Sequence, residues 1–290
     1  MTTQVDPTPL FAGLIDDAAV FPPGLAPLDV AVREHLDRRT SPYAAYIGPL
    51  LVPATAAGEV KTLADADLRT ADEPLRVGLI VRPDSPLEPL REAVEHLRDD
   101  PRVEVSAVEL GWTPGWQSVL GLEVPVVVEV GLAGAQQEAL DDIAAAVDDG
   151  ADVIAKFRTG QTPSWPWPNE ADLAGFLDSV VLHGLPFKLT GGLHHAVRGT
   201  YRDEPMHGVL NVIVATHEAL NGAEAPELAE VLAQDNAEVL VERVTRLTPE
   251  EVEQTRASLT AYGCCVVLEP IEELVALGLL TPTTDPTKEH

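Results

Sequence analysis

The sequence predicts an α/β protein, a (β/α)8 TIM-type barrel with a C-terminal α/β appendage, and three observations lead there. Strand-length apolar runs alternate with amphipathic helical stretches along 290 residues, about the length of one barrel. Some runs are apolar on both faces, as in Val124-Pro125-Val126-Val127-Val128, which suits strands covered by helices on one side and a barrel interior on the other. No strand is followed by a Gly-x-Gly-x-x-Gly turn or a Walker loop, so the nucleotide-binding open sheets with the same alternation have no support.

Candidate strands occur at 11–15, 46–52, 75–82, 103–110, 124–130, 152–157, 185–190, 209–215 and 263–268, one more than a barrel needs. The stretch 88–98 puts Leu90, Val94 and Leu97 on one helical face. The stretch 136–149 does so with Leu140, Ile143, Ala144 and Val147, and stops at Gly150. Asn169 is a good N-cap for a helix carrying Leu173, Phe176, Leu177 and Val180, and Thr248-Pro249-Glu250-Glu251 reads as a capping box. Residues 1–280 are expected to form one barrel domain, with 1–45 an N-terminal strand and loop segment and 220–280 helices plus a short strand. The polar stretch 281–290 reads as a disordered tail.

A formal charge of −28 with no Lys/Arg cluster argues against nucleic acid as a partner. No apolar run approaches the ~18–20 residues of a membrane span and the N-terminus lacks a signal-peptide layout, so a cytoplasmic protein with no membrane contact is expected. The two cysteines, Cys264 and Cys265, are adjacent, seldom a bridging arrangement, and read as core residues of an apolar strand.

Lysine usage carries more. The chain has four lysines, Lys61, Lys156, Lys188 and Lys288, against fifteen arginines. Lys156 and Lys188 nevertheless sit in apolar strand-like runs, where a lysine is costly unless paired or deprotonated. Lys156 ends a strand and is followed by Phe157-Arg158-Thr159-Gly160, which puts its ammonium at the rim where barrel active sites are built. Lys188 is followed by Leu189-Thr190-Gly191-Gly192-Leu193-His194-His195, whose paired glycines let an anion approach the backbone. On adjacent strands at about 6 Å, two ammonium charges repel by roughly 3 kcal/mol at an effective dielectric of about 20. That lowers one lysine's pKa by roughly two and makes it a nucleophile able to form a Schiff base with a carbonyl.

The stretch 124–160, with Val-Val-Val-Glu-Val-Gly at 126–131, Gly-Ala-Asp at 150–152 and Lys-Phe-Arg-Thr-Gly at 156–160, resembles the corresponding strand–helix–strand of deoxyribose-phosphate aldolases. The Lys-Leu-Thr-Gly-Gly-Leu segment at 188–193 is similar to that family's next strand, and the likeness is concentrated in residues 124–194. Fainter echoes fall at 48–53, 77–81 and 105–109, with Leu14-Ile15-Asp16 as first strand and 209–215 as eighth. The resemblance implies a class I aldolase barrel in which Lys156 matches the Schiff-base lysine and Lys188 the lysine that lowers its pKa. It also implies an acid for proton transfer on the fourth strand, matched by Glu109 with Glu104 competing, and another at Asp16.

Two departures accompany it. Asp152 stands one residue further from Lys156 than in the family pattern, which implies a bulge or a shifted register. The expected eighth strand lacks a Gly- and Ser-rich phosphate turn, and Arg158 is the alternative anion holder. The expected catalytic set is therefore Lys156, Lys188, Glu109 and Asp16. Arg158, Thr159, Gly160, Thr190, Gly191, Gly192, His194 and Glu129 are expected to line the substrate.

Three functions compete. The leading one is a Schiff-base-forming, aldolase-like lyase acting on a small carbonyl compound through Lys156, without a cofactor. In the second, His194 and His195 join carboxylates such as Glu129, Glu109 or Asp16 around a divalent metal in a hydrolase or isomerase. In the third, the barrel is an inactive binding protein whose mark would be lysines locked in salt bridges. The loop at 16–24 reads as a cover for the mouth or a solvated turn. Trp165-Pro166-Trp167-Pro168 reads as an aromatic wall or as a contact in a homo-oligomer.

Overall fold

The structure is a computed structural model that describes residues 8–281 apart from 84, 133 and 164. The expected tail at 281–290 thus lies, but for Thr281, outside the described residues. Seven strands follow in chain order: β1 (Ile15–Asp17), β2 (Ile47–Pro53), β3 (Leu75–Ile80), β4 (Val103–Gly111), β5 (Val126–Glu129), β6 (Val153–Arg158) and β7 (Phe187–Thr190). A two-stranded antiparallel hairpin, β8 (Gly199–Tyr201) and β9 (Glu204–Met206), precedes the last strand, β10 (Leu259–Cys264). Strands β1 to β7 and β10 close into an eight-stranded parallel barrel in the order β1-β10-β7-β6-β5-β4-β3-β2.

Local sequence explains most of these elements. All four residues of β5 are buried, as the two-sided apolar pattern requires. Asn169 and Asp172 form a reciprocal capping box that starts the helix Glu170–Leu182, and Thr248 with Glu251 does the same for Pro249–Ser258. The expected helices at 88–98 and 136–149 are found as Glu88–Leu97 and Gly134–Asp148. The first strand begins only at Ile15, because Phe11 ends a short helical turn, Thr8–Phe11.

The eighth strand is a correction. Residues 209–215 are not a strand but the start of the helix Val209–Leu220, in which Val209 through Thr216 are all buried. This helix packs against the helices Glu170–Leu182, Ala225–Leu232, Ala237–Thr245 and Pro249–Ser258 and so buries its first two turns on every side, Asn211 and Thr216 included, each with hydrogen-bond partners. A short run, rich in β-branched residues and apolar but for Asn211, carries no period by which to tell such a helix from a buried strand. The barrel is closed instead by β10, paired to β7 on one side and β1 on the other. Among the described residues no helix is long and apolar enough to cross a membrane.

Candidate active site

Side chains alternate along a strand, so one row of register fixes which residues share the barrel interior. Lys188, Lys156 and Glu129 stand in one row across β7, β6 and β5. The bulge expected before Lys156 is absent: β6 pairs without a register shift to both neighbours, and Asp152 precedes the strand, its carbonyl accepting from the Val126 N–H. Asp16 on β1 sits opposite Gly263 of β10, and Glu109 comes from β4.

These side chains meet in a chain of alternating charge. Asp16 Oδ2 is 2.5 Å from Lys188 Nζ, which also donates to Glu109 Oε1. Glu109 Oε2 is 2.9 Å from Lys156 Nζ, and Lys156 Nζ is 2.9 Å from Glu129 Oε2. Glu129 Oε1 accepts from Arg158 Nε at 3.0 Å. Asp16, Glu109, Lys156 and Lys188 are 3, 1, 3 and 4% exposed, so this centre is removed from bulk water. Only Arg158, with a quarter of its side chain exposed, reaches the rim.

Three carboxylates and three cations make the chain neutral, and each group's protonation follows from burial set against its partners. Burial alone would lower Lys156, but Glu109 and Glu129 outweigh it and hold its pKa above the ordinary value. Lys188 is likewise raised, burial being outweighed by Asp16 and Glu109. Burial pushes Glu109 up, yet Lys156 and Lys188 bring it down to about 2. Glu129 falls below its ordinary value for the same reason, through Lys156 and Arg158. Asp16 differs: burial raises it more than Lys188, which it shares with Glu109, can lower it. The expectation that Lys188 depresses Lys156 by repulsion is therefore overturned in the resting protein, because Glu109 stands between the two ammonium groups.

Gly48 on β2 makes room for this chain. A Cβ there would stand 2.1 Å from Asp16 Oδ1. The glycines after β6 and β7 have a packing role. Gly160 lies so close to the next turn that a Cβ would be 2.8 Å from the Gly191 carbonyl, and a Cβ at Gly192 (φ +100°) would meet Trp167 at 2.9 Å. Thr159 joins the turns through its N–H to the Thr190 carbonyl and its hydroxyl to the Gly191 carbonyl. Thr190 faces inward beside Gly263, whose Cβ would lie 3.4 Å from Thr190 Oγ1. Trp165 packs edge-on against Phe157 and donates to the Arg158 carbonyl, so this part of the aromatic segment is laid against the barrel.

His194 and His195 do not join this chain of charges. His194 Nδ1 is 2.9 Å from Glu269 Oε2, and His195 Nδ1 is 2.7 Å from Glu273 Oε1, both glutamates lying on the helix Leu268–Ala276. His195 also stacks on Tyr201 of the hairpin. Among the described residues no group of three or more His, Cys, Asp or Glu side chains is arranged to hold a metal ion. In the loop at 16–24, Asp17 is buried and accepts from Arg38, with His35 at 3.1 Å, which fixes the loop's root. Glu104 pairs with Arg76 on the exterior and takes no part in the site. Glu269, Glu273 and Gly48 were not picked out by the sequence, since a glutamate on an amphipathic helix and a glycine in a strand have no local mark of function.

No family model matches the chain, and no curated protein matches it. Solved structures similar to it include one described as an aldolase, at 15% identity over 93% of this chain and 97% of the other, with a TM-score of 0.48. An HMG-CoA lyase from Brucella melitensis is similar at 12% identity over 93% of each chain, with a TM-score of 0.42. A mandelate oxidase variant is similar at 14% identity over 87% of this chain and 75% of the other, with a TM-score of 0.40.

Proposed function

We propose that this barrel is an aldolase-like lyase in which Lys156 forms a Schiff base with a small carbonyl substrate. One observation carries the reading: a single buried carboxylate, Glu109, bridges two buried lysines at the inner end of a barrel mouth. Such a bridge takes a proton from one amine while the other remains charged beside it.

The resting Lys156 is an ammonium, so attack on a carbonyl carbon requires that a proton leave it first. Glu109 is in contact to accept that proton, and Lys188 links Glu109 to Asp16, the carboxyl that burial already inclines to protonation. Relay along this path leaves the charge of the buried chain unchanged. The neutral amine then adds to the carbonyl carbon and water leaves, giving the imine. Protonated, that imine accepts the electron pair of the bond between its α and β carbons as the β-hydroxyl gives its proton to Glu109 and becomes the carbonyl of the leaving fragment. Glu109 then returns the proton to the α carbon of the enamine, and water hydrolyses the imine. Arg158, at the rim and on the same strand as Lys156, is the group that meets a polar or anionic part of the substrate.

Borohydride trapping with a panel of short aldehydes and ketones tests this, with the adduct mapped by peptide mass. Adduct on Lys156 is the expected result, and its absence with every member removes the imine mechanism. A second reading, an inactive barrel that serves as a binding protein, is favoured by one observation. Both ammonium groups are locked between carboxylates in the resting protein. The same absence of trapping is the outcome that reading requires.

A further inference from the structure

The rim holds a second cluster that the lysine chemistry leaves unused. His194, in the loop after β7, has Glu269 Oε2 at 2.9 Å from Nδ1 and Cys265 Sγ at 3.5 Å from Nε2. An acid on one ring nitrogen and a thiol on the other is the arrangement of an activated nucleophile: the acid fixes the tautomer with Nδ1–H, and Nε2 is left to take the thiol proton. The two cysteines are not equivalent in this. Cys264 is buried in β10, and its sulfur lies 3.6 Å from Nδ1, the nitrogen that Glu269 already holds. Cys265 follows the strand end, is half-buried, and faces the free nitrogen.

The surrounding backbone fits the same role. Gly24, in the loop after β1, approaches so closely that a Cβ there would be 3.1 Å from the Cys265 Cβ, and its N–H is directed to the sulfur. Loops following three neighbouring strands, β7, β10 and β1, thus assemble one cluster on the face where barrel active sites are built. Burial raises the Cys265 thiol above its ordinary value, so the resting thiol is protonated and His194 is called on as a general base during attack.

We propose that Cys265, His194 and Glu269 form a second catalytic centre, for acyl transfer from small esters or thioesters, that does not depend on the Schiff-base reading of Lys156. Cys265 Sγ attacks the acyl carbon while its proton passes to His194 Nε2. The carbon–sulfur bond forms, the bond to the alcohol or thiol breaks, and His194 delivers the proton to that leaving group. Water then attacks the thioester carbon, giving its proton through His194 to the departing sulfur, which releases the acid and restores the thiol. Glu269 is a positioning residue that acts through His194.

The test uses the full chain and p-nitrophenyl acetate at pH 7, following nitrophenolate release and mapping acetyl groups by tandem mass spectrometry after an acid quench. Release is expected to fall about a hundredfold or more in Cys265→Ala and His194→Gln, the size of a lost nucleophile or general base. Cys264→Ala keeps it. Glu269→Gln lowers release by less than His194→Gln does, and Glu269→Asp restores part of it, which loss of a merely structural contact would not produce. Release that survives Cys265→Ala, or acetylation of the wild-type protein confined to lysines or Cys264, overturns the proposal. The wild-type map needs no variant, so a misfolded substitution does not spare the idea from refutation.

Discussion

Glu109→Gln is the sharpest probe of the buried chain. Glu109 is 1% exposed and supplies one oxygen to each lysine. Its amide substitute leaves Lys156 with Glu129 alone and Lys188 with Asp16 alone, so a neutral set of six charges becomes one cation in excess. Removing one partner of a buried ion pair costs about 3–5 kcal/mol. Each lysine keeps a carboxylate, which points to the lower end, about 3 kcal/mol. For a chain of this size that lowers the melting temperature by roughly 6 °C.

The double variant Glu109→Gln with Lys156→Met sharpens the test. It leaves two complete pairs, Lys188 with Asp16 and Arg158 with Glu129, and restores neutrality. It is expected to be more stable than Glu109→Gln alone and to recover at least half the loss, a strong departure from additivity between touching groups. Guanidinium unfolding followed by circular dichroism supplies the free energies. A single variant within about 0.5 kcal/mol of the wild type would mean a solvated mouth. Additive losses would mean that the charges do not act as one chain.

Gly48→Ala pushes a Cβ to within 2.1 Å of Asp16 Oδ1, so Asp16 must turn away from Lys188. A loss of about 1–3 kcal/mol is expected. The control Gly58→Ala, in a helix and with only the far end of His96 within 4.0 Å, is expected to be neutral or stabilising by up to about 1 kcal/mol in the same unfolding assay. The pH dependence of trapping follows from Lys156. Because its pKa is raised above the ordinary 10.5, Lys156 loses little proton to solvent between pH 7 and 9, and the reactive neutral amine is the one whose proton has passed to Asp16 within the chain. Trapping rate should therefore change little over that range; a tenfold rise per pH unit would mean that the proton leaves to solvent and not to Asp16, and a titration with its midpoint near pH 7 would reinstate the mutual repulsion of the two lysines.

Lys156 and Lys188 were legible because an ammonium flanked by apolar strand residues has no bland explanation, and because arginine serves nearly everywhere else. The inward row that they share was legible too, since a strand alternates faces, although Lys156 and Lys188 lie inside β6 and β7, two residues short of Arg158 and Thr190, and do not end their strands as expected. Their protonation was not. Repulsion between neighbours on β6 and β7 can be reasoned from adjacency in the sheet, whereas Glu109 arrives from β4, 47 residues from Lys156 in sequence. Closure of the barrel brings that carboxylate between them, and a contact made by closure has no signature in either strand. The same closure explains the misplaced eighth strand: Val209–Thr216 and Leu259–Cys264 are both short apolar runs, and only the second finds a free edge on both β7 and β1.

Neutrality has a consequence for catalysis. If the lysines repelled one another, Lys156 would be a nucleophile at rest and any carbonyl compound entering the mouth could react. With the acids interleaved, the amine is released only when a proton has moved to Asp16 or a substrate group has drawn Arg158 and Glu129 away from their present pairing. Reactivity then depends on what the substrate brings to the rim, and Arg158 is the member of the chain that substrate can reach first. A neutral ketone and an anionic one of equal size should therefore trap at different rates. Substitution of Arg158 should change that ratio more than it changes the trapping of the neutral compound.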